Sequence, residues 1–191
     1  MKNINFAFHI MKRFLTLLLL SIICFSSCKE KQEDILADIK KKKEEINGGL
    51  KKLTLKQVED ITSASGGSIS GWYRDEEIRK IYAEYFGDKK RTFSEYYFDD
   101  GMLIYVMKQE YIYNKPQSYT EDAAKSFNDT EWYDDKKTKL EVSSFYFNKN
   151  KLIKWTDDDN IDVSINSPEF INKESALWAE TVILMKQLKE Q

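Results

Sequence analysis

Three times along this chain, two aromatic or bulky residues run into Asp or Asn, a short polar turn and an aliphatic stretch, and that recurrence restricts the fold more than any other feature. The copies are Trp72-Tyr73-Arg74-Asp75 with Ile78 and Ile81, Tyr96-Tyr97-Phe98-Asp99-Asp100-Gly101 with Leu103-Ile104, and Phe145-Tyr146-Phe147-Asn148 with Leu152-Ile153. Aromatic and β-branched residues suit a pleated, half-buried surface, and the polar break supplies a turn, so each copy reads as a β-hairpin. Asp100-Gly101 is the strongest turn because both residues tolerate the positive φ that tight hairpins demand, and Asn148-Lys149-Asn150-Lys151 is the second. The first copy reads one residue shorter and lacks Gly, which makes its turn the weakest. The implied strands are Ser68 to Arg74, Ile78 to Phe86, Phe93 to Asp99, Met102 to Tyr113, Leu140 to Phe147 and Leu152 to Thr156, an antiparallel meander.

The flanks read as helical. Glu33 to Ile46 is rich in helix formers, sets Ile35, Leu36, Ile39 and Ile46 on a partial stripe, and stops at a cap made by Asn47-Gly48-Gly49. Its Lys40 to Lys43 run makes i,i+4 pairs with Glu44 and Glu45 on a solvated face, a reading preferred to contact with anionic lipid headgroups. Leu50 to Ile61 fits two patterns: Leu53 and Leu55 alternate as in a strand, while Thr54-Leu55-Lys56-Gln57 has the form of a capping box. A short helix is the expectation there. Thr62 to Ser70 is small and Gly-rich and reads as a loop. Thr120 to Phe127 reads as a short helix capped by Thr120, and Asn128 to Lys137 as a loop. Ser167-Pro168-Glu169 opens a final helix with a capping Ser and Pro at its first position. Leu177, Trp178, Thr181, Val182, Met185 and Leu188 form its buried stripe. The expected fold class is therefore α+β, an antiparallel β-meander of about five or six strands packed against an N-terminal and a C-terminal helix. Along Met102 to Tyr113, Leu103, Tyr105, Met107, Tyr111 and Tyr113 share one face, and Ile104, Val106 and Ile112 the other. Helices cover one face of such a sheet and the other stays partly open.

At Tyr96-Tyr97-Phe98-Asp99-Asp100-Gly101-Met102-Leu103, at Tyr113-Asn114-Lys115-Pro116 and at Phe145 to Trp155, the chain resembles a family of exported, often lipid-anchored bacterial domains of unknown function. The resemblance runs from Gly66 to Trp155, with a trailing helix of similar type. The family tends to have Gly where Asn150 stands and Arg where Lys115 and Lys154 stand. The resemblance implies a fold and a location, and it carries no active site with it.

The first residues have the order of an export signal. Met11-Lys12-Arg13 is a positive segment, Phe14 to Phe25 is an apolar run of 12 residues, and Ser26-Ser27 place small side chains before Cys28. A membrane-spanning helix needs about 20 residues, so cleavage is the better account. Phe25-Ser26-Ser27-Cys28 resembles a bacterial lipobox, with Phe25 where Leu is usual; a soluble secreted protein is the alternative. Met11 is an alternative start. Residues 1–27 then form a signal peptide, 28–34 a lipidated tether and 35–191 a single α+β domain, held to a membrane by lipid on Cys28. Lys29, in place of Asp after the cysteine, points to the outer membrane, on its periplasmic or cell-surface side.

Cleavage would leave 164 residues, enough for one sizeable core, with 27 basic and 32 acidic side chains and a net charge of −5. No basic excess suggests nucleic acid as a partner. The sole histidine, His9, would leave with the signal, and the one mature cysteine, Cys28, would be blocked by lipid. That composition excludes a Ser-His-Asp triad, a Cys nucleophile, a His or Cys zinc site and an intrachain disulfide. No cofactor is expected. A carboxylate pair, as in glycosidases, is the catalytic option left. Asp158-x-Asn160-x-Asp162, followed by Ile165 and Glu169, has calcium-loop spacing, but Val163 holds the position that needs Gly and Pro168 sits near its end, so a solvated turn is expected. Trp132 and Tyr133, with Tyr111, Tyr113 and Tyr119 nearby, form a candidate binding surface, an aromatic platform for sugar rings or a partner protein; packing into the core is the alternative for the same rings. The functional expectation is a non-enzymatic, membrane-anchored module that binds a protein, peptide or glycan. The alternatives are a carboxylate-based glycan hydrolase and an immunity- or inhibitor-type lipoprotein.

Overall fold

A computed structural model describes residues 31–59 and 66–190. The expected signal peptide 1–27, the lipidation site Cys28, the end of the Leu50 to Ile61 stretch and the start of the Thr62 to Ser70 loop lie outside the described residues. The chain divides into two compact units, Met1–Lys40 and Lys41–Gln191. Of the first, residues 31–40 are described, as helix. Among the described residues no helix is long and apolar enough to cross a membrane.

Seven strands, β1 (Thr54–Glu59), β2 (Gly67–Arg74), β3 (Glu77–Phe86), β4 (Lys90–Asp99), β5 (Met102–Ile112), β6 (Lys139–Asn148) and β7 (Lys151–Thr156), pair in sequence order as one antiparallel sheet. Helix α1 covers 31–49, α2 is Glu121–Ser126 and α3 is Pro168–Lys189. The arrangement is α+β, with one strand more than expected.

The three hairpins share one geometry. Arg74 pairs with Glu77, Asp99 with Met102, and Asn148 with Lys151, each across a two-residue turn. Asp100 and Gly101 take φ values of 47° and 70°, and Lys149 and Asn150 take 50° and 64°. Positive φ at both turn residues matches the right-handed twist of the strands they join. The first turn is as long as the other two rather than a residue shorter, and Asp75, at φ 56°, supplies the left-handed conformation in the absence of Gly. Just past each turn the second strand carries one extra residue, Arg79, Ile104 or Ile153. A bulge re-aims the side chains beyond it. Leu103 and Val106 consequently both enter the core cluster, and Leu103 does not share a face with Tyr105 as the simple alternation predicts.

The described part of the Leu50 to Ile61 stretch, Leu50 to Glu59, is not an α-helix. A 3-10 turn at Leu50–Lys52 leads into β1, which pairs with β2 from Thr54 to Glu59 and buries Val58. A ladder of backbone hydrogen bonds and a buried valine outweigh a local capping preference. Nor does α1 stop at Asn47. It runs through Gly48 and Gly49, where Gly49 has an ordinary φ of −95°, and the Asn47 side chain is spent on the sheet.

One sheet face is packed by α3. Phe170, Leu177, Leu184 and Leu188 join Ile69, Ile81, Tyr96, Phe98, Val106, Phe145, Phe147 and Trp155 in a single core. Ser167 accepts from the Phe170 amide and Pro168 occupies the first turn, as the sequence predicts. The buried stripe is Leu177, Thr181, Leu184 and Leu188, whose alternating spacing of four and three keeps one line along the helix. Val182, expected in that stripe, is 59% exposed. Lys108 on β5 pairs with Glu180, and the Trp178 ring nitrogen donates to the Asn150 carbonyl, which ties the third turn to the helix.

Candidate functional site

On the sheet's other face, side chains alternate with those of the core, and the final turns of α1, from Lys41 on, cover its end nearest the Asp99–Met102 turn. Lys42 pairs with Asp99 at 2.8 Å and Lys43 lies 4.5 Å from the Tyr105 ring centre. Two of the lysines expected on a solvated face therefore contact the sheet, while Lys41 pairs with Glu45 as expected. Asn47 accepts from the Lys80 ammonium (3.0 Å) and the Tyr97 hydroxyl (3.1 Å), and Glu95 receives the same two donors at 2.8 and 2.7 Å. Buried Lys80 is thus fully engaged, and burial, reinforced by Glu95, pushes the Tyr97 hydroxyl far above its ordinary value.

Toward the opposite ends of the strands this face carries aromatic rings in neighbouring rows. Tyr82 on β3 stacks on Phe93 of β4 (centroids 6.3 Å, 21° between planes), and Phe93 meets Tyr111 of β5 edge to face at 5.6 Å. The next row crosses four strands as Phe86, Arg91, Tyr111 and Leu140. The Arg91 guanidinium lies 4.3 Å from the Tyr111 ring centre and 5.7 Å from that of Phe93. Phe86 and Leu140, at the ends of the row, are 40% and 43% exposed. Polar groups sit between the rings. Glu84 accepts from Ser68 at 3.0 Å and lies 3.4 Å from the Tyr82 hydroxyl, and Gln109 stands across from Phe93. Partial burial, then the Glu84 charge, pushes Tyr82 up to about 12.

Beyond Tyr111, Tyr113 is buried and meets Tyr133 edge to face at 5.4 Å. Burial raises the Tyr113 pKa while the Arg91 charge works against that rise. Asn114 pins the loop that carries Tyr133, donating to the Trp132 carbonyl and accepting from the Asp134 amide. The Trp132 ring is 40% exposed and forms no ring pair with the others among the described residues. Of the four predicted surface residues, Tyr113 and Tyr133 come together as a partly buried pair, Tyr111 belongs to the sheet face, and Trp132 is exposed on the loop held by Asn114. Tyr119 accepts from the Tyr133 amide through its carbonyl at 3.0 Å, while its hydroxyl and ring lie against Asp129 and Lys115. Arg91, Phe93 and Tyr82 are not singled out by sequence. The signal for them is the alternation Arg91, Phe93, Glu95, Tyr97 along β4, which becomes a surface only once the register with β3 and β5 is known.

The calcium-like spacing does not converge. Asp157 caps its own turn by accepting from the Asp159 and Ile161 amides, Asp158 faces Lys139 at 3.7 Å, and Asp162 pairs with Lys154 at 3.0 Å. Among the described residues no group of three acidic, His or Cys side chains is placed to hold a metal ion. No family model matches the chain, and no curated protein or solved structure matches it.

Proposed function

We propose that this chain is an exported bacterial lipoprotein, anchored through Cys28, whose domain binds a saccharide on the ring-bearing half of the sheet face opposite α3. The observation that carries the reading is the Tyr82–Phe93–Tyr111 array, three rings across three adjacent strands with hydrogen-bonding side chains between them. An aromatic ring offers an apolar surface to the C–H face of a sugar, while the tips of Gln109 and Arg91 suit its hydroxyls. A peptide gains most of its affinity from main-chain hydrogen bonds at a sheet edge or from a groove, and this face presents only side chains. Binding, rather than hydrolysis, also suits the carboxylates here: Glu84 and Glu95 are held by hydroxyl and ammonium donors from the protein itself.

Titration of the detergent-solubilised full chain against a glycan array tests the reading. At least one oligosaccharide should bind, and Phe93→Ala should weaken it about ten-fold or more. Phe127→Ala, at a ring 76% exposed at the end of α2, should leave binding unchanged. If no saccharide is retained, or if Phe93→Ala binds as well as the parent, the proposal fails. Metabolic labelling with a clickable fatty acid tests the anchor: the parent should take up label and Cys28→Ala should not.

A further inference from the structure

The row that crosses the sheet beside the ring array contains a cation with no anion. Arg91 has no carboxylate within ion-pair distance among the described residues, its buried Nε has no hydrogen-bond partner, and the rings of Tyr111 and Phe93 are its contacts. Arg79, on the neighbouring strand, also has a buried Nε without a partner, but its terminal nitrogens pair with Asp99 at 2.6 Å and Glu77 at 3.5 Å. Lys90, next to Arg91 along β4, has a carboxylate partner in Glu110. The carboxylates near Arg91 are committed elsewhere, Glu84 to hydroxyls and Asp135 to the Tyr133 hydroxyl. The guanidinium lies over the Tyr111 ring, and half-exposed Phe86 and Leu140 share the same row. A guanidinium set against aromatic rings, with no carboxylate paired to it and apolar neighbours that limit its hydration, is suited to bidentate pairing with a planar or tetrahedral oxyanion.

We propose that the saccharide taken by this face is acidic, and that Arg91 binds the oxyanion of a sugar ring seated on Phe93 and its neighbours. The proposal rests on the saccharide-binding reading and specifies its ligand class. A carboxylate of a uronic or sialic acid and a sugar phosphate share the required chemistry. The apolar flanks and the adjacent ring array favour an anion attached to a ring over a free ion.

Matched pairs decide the matter with the full chain in detergent: trigalacturonate against its methyl ester, sialyllactose against lactose, and phosphorylated maltotriose against maltotriose, with acetate and inorganic phosphate as bare anions. At least one acidic member should bind about ten-fold or more tighter than its neutral partner. The advantage should shrink between about 20 and about 500 mM salt, vanish in Arg91→Gln and survive in part in Arg91→Lys, which keeps charge but loses the fork. Which pair responds separates carboxylate from phosphate. Equal binding within every pair, or a preference that Arg91→Gln retains, overturns the proposal. So does competition by free phosphate or acetate as strong as that of the acidic sugar. If neutral sugars bind and Phe93→Ala removes them, the saccharide face stands while its acid preference falls; if nothing binds, both fall. An unchanged melting temperature in Arg91→Gln confirms that the loss is of ligand, not fold.

Discussion

Gly71 shows how one absent methyl group sets the distance between sheet and helix. A Cβ built there would lie 2.8 Å from Leu188 Cδ1 and 3.0 Å from the Tyr73 ring. Leu188 is fully buried, so it has little room to give way. Replacing a strand glycine by alanine ordinarily favours the strand, yet Gly71→Ala should destabilise the domain by about 1–3 kcal/mol through overpacking, read as a lower denaturation midpoint. A midpoint equal to or above that of the parent would show that α3 adjusts freely. Residues with a local job are legible in the amino-acid order alone: Thr120 and Ser167 cap helices through bonds to residues three positions on, and Asp100-Gly101 takes the positive φ of its turn, although Glu77 of the neighbouring hairpin also accepts from the Gly101 amide. Gly71 and Arg91 are not legible in that way, because their roles are set by partners on α3 and on β5.

Strands and helices divide in the same way. The six strands built from hydrophobic alternation and turn residues emerge within a few residues of their expected ends. β1 does not, because its six residues expose all but Val58 and their alternation is weak; what makes it a strand is the free edge of β2. In α3 the cap and the start are local, but the buried line is chosen by the sheet. Leu184 is fully buried while Val182 is 59% exposed. Leu184→Ala should therefore cost about 3 kcal/mol and Val182→Ala less than about 0.5, measured by chemical denaturation. Similar losses for both would mean that the helix is rotated from its assigned face. The bulges at Arg79, Ile104 and Ile153 recur at one place in all three hairpins, so the repeat that is visible as a sequence pattern is also a repeat of strand geometry.

For the molecule as a whole, buried tyrosines make alkaline pH the sensitive side. Burial, with Glu180 nearby, holds the Tyr96 hydroxyl well above its ordinary 10.0, and Tyr97 and Tyr105 are raised mainly by burial. Folded tyrosines stay neutral where unfolded ones ionise, so this stability is intact below pH 10.0 and is lost as the pH climbs through the raised values. Tyr96→Phe should reduce the drop in urea midpoint between about pH 8 and about pH 11; an unchanged drop would remove Tyr96 as a cause. At Asp99, partial burial opposes the charge, but hydrogen bonds from Lys42 and Arg79 prevail and lower the pKa below 3.8. That contribution is present above 3.8 and is lost as the pH falls through the depressed value.

The sequence by itself determined the meander, its turns and the closing helix, since each depends on neighbours a few positions away. Only the tertiary structure decided that Tyr82, Arg91, Phe93 and Tyr111 make one surface and that, among the described residues, Trp132 makes no ring pair with them. Those four lie on three strands, and a one-residue change of register would send each strand's side chains to the opposite face.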